Sequence, residues 1–159
     1  MSESSIPSPT TAPKTSRQPE RHGRIVVGVD GSESSLDALR LAVRTAEAFG
    51  TSLEAITAWS YPAGAEVALL AGWSPEEDAR QILEAAAHEV FGDKRPSWFS
   101  VTTIPGSAAR ALIEESNSAE MIVLGSRGHG GFAGLLLGSV SATCAEHAHC
   151  PVLIFRPTA

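Results

Sequence analysis

Short runs of consecutive apolar residues recur along this chain and predict buried β-strands. The first run, Ile25–Val29, lacks any alternation with polar positions and is followed by Asp30-Gly31-Ser32, a sequence typical of a turn. Further apolar runs predict strands at 53–59, 98–104, 121–124 and 152–155. The chain is therefore predicted to form a sheet of mostly buried strands.

Helical periodicity fills the intervals between these runs. Apolar residues spaced three and four apart between positions 36 and 49 share one helix face, with Ser32 or Gly31 as the predicted N-cap and Gly50 as the stop. After an apolar linker, Ser74-Pro75 followed by two acidic residues predicts the beginning of a second helix, which ends at Gly92. Two further helices are predicted over 106–116 and 139–148.

Strict alternation of strands and helices predicts the fold class. Parallel strands joined by right-handed crossovers place helices on both faces of one open sheet, which is a Rossmann-like α/β architecture. In such sheets a ligand lies beyond the carboxyl ends of the strands, where the strand order reverses. The turns after the first and fourth strands are rich in glycine, so we expect them to flank that crevice.

The first 22 residues differ from the remainder of the chain. They are rich in Ser, Thr, Pro and charge, and Ile6 is nearly alone as an apolar residue. Such a segment buries too little surface to offset the entropy lost on ordering. We therefore predict a disordered tail over 1–22 and a single domain over 23–159.

Composition and charge limit the classes of partner that this protein is expected to bind. The net charge is −6 and only two lysines occur, so a nucleic-acid partner is not expected. No apolar run approaches the roughly 20 residues that cross a bilayer, so no membrane partner is expected. The amino terminus, Met1–Ser5, lacks the basic and apolar regions of a secretory signal. We therefore predict a cytoplasmic protein in which Cys144 and Cys150 are free thiols.

Residues 125–139 carry the strongest sign of chemistry. Six glycines interrupt this stretch, which ends at Gly138-Ser139 directly before a predicted helix. Glycines let main-chain amides approach a ligand, and the amides at a helix N-terminus bind anions. The alternative is a long loop in which the glycines serve only to turn the chain.

Known phosphate and nucleophile motifs do not account for this stretch. It contains no lysine, which excludes a Walker A loop. The spacing Gly128-His-Gly130 resembles a dinucleotide fingerprint, but it follows the fourth strand and lacks the later acidic residue. The chain also has no Gly-x-Ser-x-Gly elbow, which excludes the α/β-hydrolase class.

Three motifs together resemble a known family. They are Val27-Gly-Val-Asp30-Gly-Ser32, Gly125-x2-Gly128-x9-Gly138-Ser139 and Cys150-Pro-Val-Leu-Ile154. Over residues 24 to 157 the chain resembles the ATP-binding branch of the universal stress protein (UspA-type) family. The resemblance implies a five-stranded parallel sheet in the order 3-2-1-4-5. It also implies ATP, together with Mg²⁺, as ligand and a homodimer formed through the strand Val152–Phe155.

The resemblance also implies roles for particular residues. Asp30 would contact the ribose and adenine, and the main chain of Trp59 would contact adenine. Gly125 and Gly128 would approach the ribose and phosphates, and residues 138–140 would hold the phosphates. The complete predicted nucleotide-binding set is Gly28, Val29, Asp30, Trp59, Leu124, Gly125, Arg127, Gly128, His129, Gly130, Gly138, Ser139 and Val140.

Several of these residues have simpler interpretations. Asp30 is also suited to capping the first helix, and Trp59 to packing in the core. Arg127 either pairs with phosphate or lies on the surface, and His129 is more typical of a solvated loop residue than of a general base. The Cys and His residues of 144–150 are poorly spaced for a metal, so no metal site is predicted.

Three functions remain open from the sequence. The first is an ATP-binding regulatory module without a catalytic residue, in which hydrolysis or autophosphorylation is at most slow. The second is an ATP hydrolase or phosphotransferase that uses Ser139 or His129. The third is a nucleotide-free dimeric interaction domain.

Overall fold

The computed structural model describes residues 23–129 and 134–158, so the predicted tail lies outside the described residues. The predicted strands and helices occur in the predicted order with their ends shifted by a few residues, and one short helix is additional. The strands are β1 Arg24–Gly28, β2 Ser52–Trp59, β3 Phe99–Pro105, β4 Met121–Gly125 and β5 Val152–Phe155. The helices are α1 Glu33–Phe49, α2 Glu66–Leu70, α3 Pro75–Phe91, α4 Ala108–Glu115 and α5 Ser139–His147.

Helix α2 is the element that the sequence analysis missed. It has five residues, none of them buried, and its N-cap Ala65 makes no side-chain hydrogen bond. A helix this short offers no periodic stripe of apolar positions, so its segment read as a linker. Val67 and Leu70 are exposed on it.

The five strands form one parallel sheet in the order β3-β2-β1-β4-β5, as the family resemblance implied. β1 lies at the centre between β2 and β4, and β5 lies at an edge. Because the strands are parallel, the carboxyl ends of β1, β2 and β4 meet at one edge of the sheet. That edge is where the crevice was predicted.

Two cores cover the two faces of the sheet. On one face Val27 packs with buried residues of α1 and α3, including Leu39 and Leu83. On the other face Val26 packs with Leu112 of α4 and with residues of α5. Successive residues of β1 thus alternate between the cores, which is why the strand is apolar throughout.

The opposite edge of the sheet carries a cluster of charges. The Arg24 guanidinium pairs with Glu54 of β2 and with Glu115 of α4, the latter at 2.8 Å. Burial lowers the pKa of Arg24, but the hydrogen bonds and charges of Glu115 and Glu54 outweigh it and raise the pKa. The cluster fixes the carboxyl end of α4 to the sheet, while the amino end of α4 faces the crevice.

No helix within the described residues is long and apolar enough to cross a membrane.

Candidate functional site

A cavity of about 410 Å³ opens beyond the carboxyl ends of β1, β2 and β4. All of the predicted site residues except Trp59 and Gly130 line it. Gly130 lies outside the described residues. The lining residues are Gly28, Val29, Asp30, Ser35, Ile56, Thr57, Ala58, Ala108, Leu112, Leu124, Gly125, Arg127, Gly128, His129, Leu135, Leu137, Gly138, Ser139, Val140 and Ser141.

Ala58, one residue before Trp59, is the last residue of β2 that lines this cavity. Main-chain groups of successive strand residues point alternately toward the two neighbouring strands. The Ile56 carbonyl accepts the Val29 N–H (2.9 Å), and the Trp59 carbonyl accepts the Gly106 N–H on the other side (2.7 Å). Ala58 therefore faces the same side as Ile56, beyond the last register pair of β1, Gly28 and Ile56.

The Trp59 side chain packs away from the cavity lining. Its ring meets Tyr61 edge-on, with centroids 5.4 Å apart. The indole Nε1 is buried, and no hydrogen-bond partner for it occurs among the described residues. The Trp59 ring thus packs against Tyr61, and a role of Trp59 in nucleotide binding stays a prediction.

The Asp30 carboxylate bridges two loops. Its Oδ1 accepts the Ser32 N–H (2.9 Å) and the Ser32 hydroxyl (2.5 Å), and its Oδ2 accepts the His129 N–H (3.1 Å). Burial raises the pKa of Asp30, but hydrogen bonds from Ser32, Ser35 and His129 outweigh it and lower the pKa below its usual value. Asp30 is not the N-cap of α1, because Ser32 accepts the Ser35 N–H in that role.

Gly125 lies against the first turn of α1, and Gly128 lies against the turn that precedes α1. A Cβ at Gly125 would lie 2.3 Å from the Ser34 hydroxyl oxygen and 2.6 Å from the Ser34 carbonyl oxygen. A Cβ at Gly128 would lie 2.5 Å from Asp30 Oδ2. Both positions exclude a side chain because protein atoms approach closely there.

The N-terminus of α5 faces the cavity without a cap. Ser32, Ser74 and Ser107 cap α1, α3 and α4 through their side chains, whereas the N-cap of α5 is Gly138, which makes no side-chain cap bond. The first-turn amides of α5 are therefore available to an acceptor in the cavity. Ser139 is the first helical residue, and its side chain is not the cap.

Charged side chains are few on the cavity wall. The lining residues include one arginine, Arg127, and one carboxylate, Asp30, together with His129. An Arg127 Nη donates to the Leu135 carbonyl at 3.0 Å, so the guanidinium is partly engaged within its own loop. The opposite wall is apolar and includes Ile56 and Leu112.

The sequence analysis missed part of this wall. The missed residues come from the end of β2, the first turns of α1, α4 and α5, and the segment before Gly138: Ser35, Ile56, Thr57, Ala58, Ala108, Leu112, Leu135, Leu137 and Ser141. The signal for Ala58 was the alternation along β2. The α4 residues carried no signal, because their position depends on how the helix packs.

Two cysteines lie near the carboxyl end of the described chain. Cys144 and Cys150 are free thiols, as predicted. Burial raises the pKa of Cys144 to about 11. Burial also raises the pKa of Cys150, although the Ile122 amide opposes it. Within residues 23–129 and 134–158, no group of three or more His, Cys, Asp or Glu side chains is placed to hold a metal.

The sheet order and the crevice beyond β1 and β4 define a Rossmann-like α/β protein. The model of the universal stress protein family matches residues 22–156, and the chain belongs to that family. Universal stress protein Rv2623 of Mycobacterium tuberculosis is 35% identical over 135 residues, which cover 83% of this chain and 44% of that protein. The chain thus spans less than half the length of this curated relative.

Solved structures agree on the fold. UspA from Lactobacillus plantarum matches with a TM-score of 0.71 and 22% identity, over 86% of this chain and 99% of that one. A universal stress protein in complex with cAMP matches with a TM-score of 0.57 and 28% identity, over 86% of this chain and 98% of that one.

Proposed function

We propose that this chain is an ATP-binding regulatory module of the stress response. The observation that carries the proposal is the N-terminus of α5, where Gly138 leaves the first-turn amides uncapped and facing a cavity. Amides at a helix N-terminus, together with the helix dipole, favour a phosphate group. A hydrogen bond to a charged phosphate oxygen contributes about 1.5–3 kcal/mol.

The cavity also suits the nucleoside. Ile56 and Leu112 offer an apolar wall for adenine, and the Ala58 main chain lies beside them for hydrogen bonds to the base edge. In this arrangement Ala58 takes the role that the sequence analysis assigned to Trp59. Phosphates would then extend toward Ser139 and Val140.

Mg²⁺ would be held mainly by the nucleotide. Both oxygens of Asp30, the carboxylate on the cavity wall, already accept hydrogen bonds within the protein. Mg²⁺ commonly keeps several waters and binds substrate phosphates with only one or two protein ligands. Such a site needs no group of protein ligands, and we expect the ion to strengthen binding by neutralising phosphate charge.

Thermal unfolding with and without ATP and Mg²⁺ tests this proposal. A ligand at about 100 times its Kd stabilises a protein by about 2.7 kcal/mol, which is a clear shift in Tm. We expect a shift with ATP, a smaller one when EDTA removes Mg²⁺, and nucleotide in mass spectra of the natively purified protein. An unchanged Tm with every adenine nucleotide would favour the nucleotide-free interaction domain.

A second candidate ligand is an adenine nucleotide with less charge. Arg127 is the one guanidinium on the described cavity wall, Asp30 opposes it in sign, and a related protein at 28% identity was solved in complex with cAMP. A triphosphate needs more compensation than a cyclic or simple monophosphate. Calorimetric titration with ATP, AMP and cAMP ranks the two candidates directly.

The arrangement favours holding a nucleotide over turning it over. General-base catalysis needs a group within hydrogen-bond reach of the attacking atom, and the Asp30 oxygens are engaged with Ser32 and His129. We therefore expect ATP turnover to be at most slow. Steady-state hydrolysis well above background that His129→Ala abolishes would favour the enzyme instead.

We also propose a homodimer formed through β5. Among the described residues, the edge position of Val152–Phe155 leaves the main-chain groups of alternate residues without a partner strand. Ile122 N–H bonds to the Pro151 carbonyl and Ser126 N–H to the Phe155 carbonyl. Residues 151, 153 and 155 therefore face β4, and the main chain of Ile154 faces outward.

A proline exchange separates this dimer from the fold. Ile154→Pro removes an outward N–H, whereas the matched Leu153→Pro disrupts the ladder to β4. We expect sedimentation at micromolar concentration to show a folded monomer for Ile154→Pro and loss of stability for Leu153→Pro. A monomeric wild type would refute the dimer.

A further inference from the structure

The position of Asp30 points to a role different from that of a ribose ligand. Its Oδ1 accepts two hydrogen bonds from Ser32, and its Oδ2 accepts the His129 N–H. These three hydrogen bonds occupy most of the roughly four acceptor sites of a carboxylate and leave one, on Oδ2, for a further donor. The same side chain joins the turn that precedes α1 to the beginning of the glycine-rich stretch.

A second contact holds the same two segments together. The Arg127 N–H donates to the Ser34 hydroxyl at 3.5 Å, and a Cβ at Gly125 would collide with Ser34. At Gly128 the atom that excludes a side chain is Asp30 Oδ2 itself. The close approaches that require these two glycines are thus made by the protein, before any ligand enters.

This contact also determines where the cavity wall stands. Gly125, Arg127, Gly128 and His129 line one side of the cavity, and Asp30 is the side chain that bonds to the last of them. If that bond is lost, Asp30 no longer ties residues 127–129 to the turn before α1, and the Arg127 N–H bond to the Ser34 hydroxyl remains. Ser126 keeps its own anchors, because its N–H bonds to Phe155 and its carbonyl accepts the Gly138 N–H.

We propose that Asp30 is a positioning residue, whose carboxylate holds residues 127–129 against the beginning of α1 and so maintains the width of the nucleotide cavity. The expected effect on nucleotide affinity rests on the proposed function, whereas the hydrogen bonds of Asp30 do not depend on it. A ribose ligand would discriminate among sugars. A positioning residue affects every nucleotide that needs the same wall.

The variant Asp30→Asn tests this role with little change of shape. Its amide oxygen keeps the bonds from Ser32, while its NH₂ group faces the His129 N–H, where two donors meet. The matched control is Asp37→Asn, which removes the same charge from a partly exposed position on α1 that pairs with Arg40. Asp30→Ser serves as a second variant if the Asn protein folds poorly.

The first measurement is amide hydrogen exchange by NMR in the ligand-free proteins. We expect the His129 amide to exchange at least tenfold faster in Asp30→Asn and to be unchanged in Asp37→Asn. An unchanged rate in both Asp30 variants would overturn the proposal. This readout needs no nucleotide, so it decides the role of Asp30 even if the wild type binds none and the proposed function fails.

The second measurement compares the affinities of ATP and 2′-deoxy-ATP. We expect Asp30→Asn to weaken both nucleotides by the same factor, about tenfold or more, so that their ratio stays as in the wild type. A ribose ligand gives the opposite result, in which the wild type prefers ATP and the variant loses that preference. That outcome would refute positioning.

Discussion

Helices α1 and α5 both begin at the cavity edge of the sheet, but their first turns are built differently. Before α1, Ser32 caps the helix and Asp30 accepts hydrogen bonds from Ser32, so this turn is satisfied by its own side chains. Before α5, Gly138 offers no side chain and leaves the amides open. One helix start is complete without a ligand and serves as a wall. The other leaves its first-turn amides open to an anion.

Converting the open turn into a closed one is the strongest test of this contrast. Gly138→Asp supplies a capping carboxylate that satisfies the α5 amides and repels phosphate. We expect ATP affinity to fall about 100-fold, or about 2.7 kcal/mol. Thermal stability should hold or rise, because such a cap contributes about 1 kcal/mol. Calorimetric titration and thermal unfolding measure the two effects.

The control for this variant is Gly138→Ala. A Cβ there would lie 3.5 Å from its nearest neighbours, which is ordinary contact, and the glycine does not have a positive φ. The alanine protein should therefore keep most of its affinity. Undiminished ATP binding by Gly138→Asp would place the phosphate site elsewhere.

A side chain at the end of β4 that pushes against the first turn of α1 should reduce the stability of the protein. Gly125→Ala places a Cβ 2.6 Å from the Ser34 carbonyl oxygen, a main-chain atom that moves only with α1. We expect the free energy of unfolding in urea to fall by about 1–3 kcal/mol, as for other overpacked sites. Gly138→Ala is the matched control, because its added Cβ fits. A loss of stability in Gly125→Ala alone would therefore report the close contact with Ser34. A loss below about 0.5 kcal/mol would contradict this account.

Removing the cap of α1 tests how much the satisfied turn contributes to the stability of the protein. Ser32→Ala removes the α1 cap and the hydroxyl bond to Asp30, whereas Ser107→Ala removes only the cap of α4. Loss of a serine cap costs about 1 kcal/mol. We expect urea unfolding to show a larger loss for Ser32→Ala than for Ser107→Ala. Equal losses would mean that the bond to Asp30 adds nothing.

The smallest expected effect is a pH dependence of the closed turn. The pKa of Asp30 is lower in the folded protein than in the unfolded chain, whose value is about 3.9. The stability it contributes is therefore complete above the unfolded pKa and is lost as pH falls through the folded pKa. The difference in unfolding free energy between wild type and Asp30→Asn should be constant above about pH 5 and should shrink as the pH falls below about 4. A constant difference would contradict it.

The strands and long helices were predictable because each depends on local pattern. Ile25–Val29 predicted β1 within one residue, and Ser74-Pro75 marked the beginning of α3. Helix α2 was missed because its apolar residues, such as Val67 and Leu70, are exposed and follow no core-facing period. Helix α2 lies between β2 and α3 and has no buried residue.

The candidate site was only partly predictable for a physical reason. Glycine spacing located the α5 turn, because main-chain chemistry needs no side-chain partner to be recognised. Glycine spacing did not distinguish glycines that would lie against a ligand from glycines that lie against Ser34 or Asp30. That distinction depends on contacts between segments far apart in sequence.

By itself, the order of apolar runs, caps and glycines determined the alternating architecture and the edge of the sheet where a ligand would lie. Only the packed structure decided that Ala58 rather than Trp59 meets the cavity, and that Asp30 is bonded on both oxygens. The reason is that strand direction and helix periodicity arise from neighbouring residues. Whether a main-chain group is bonded or faces the cavity depends on whether another strand lies beside it, and tertiary packing decides that.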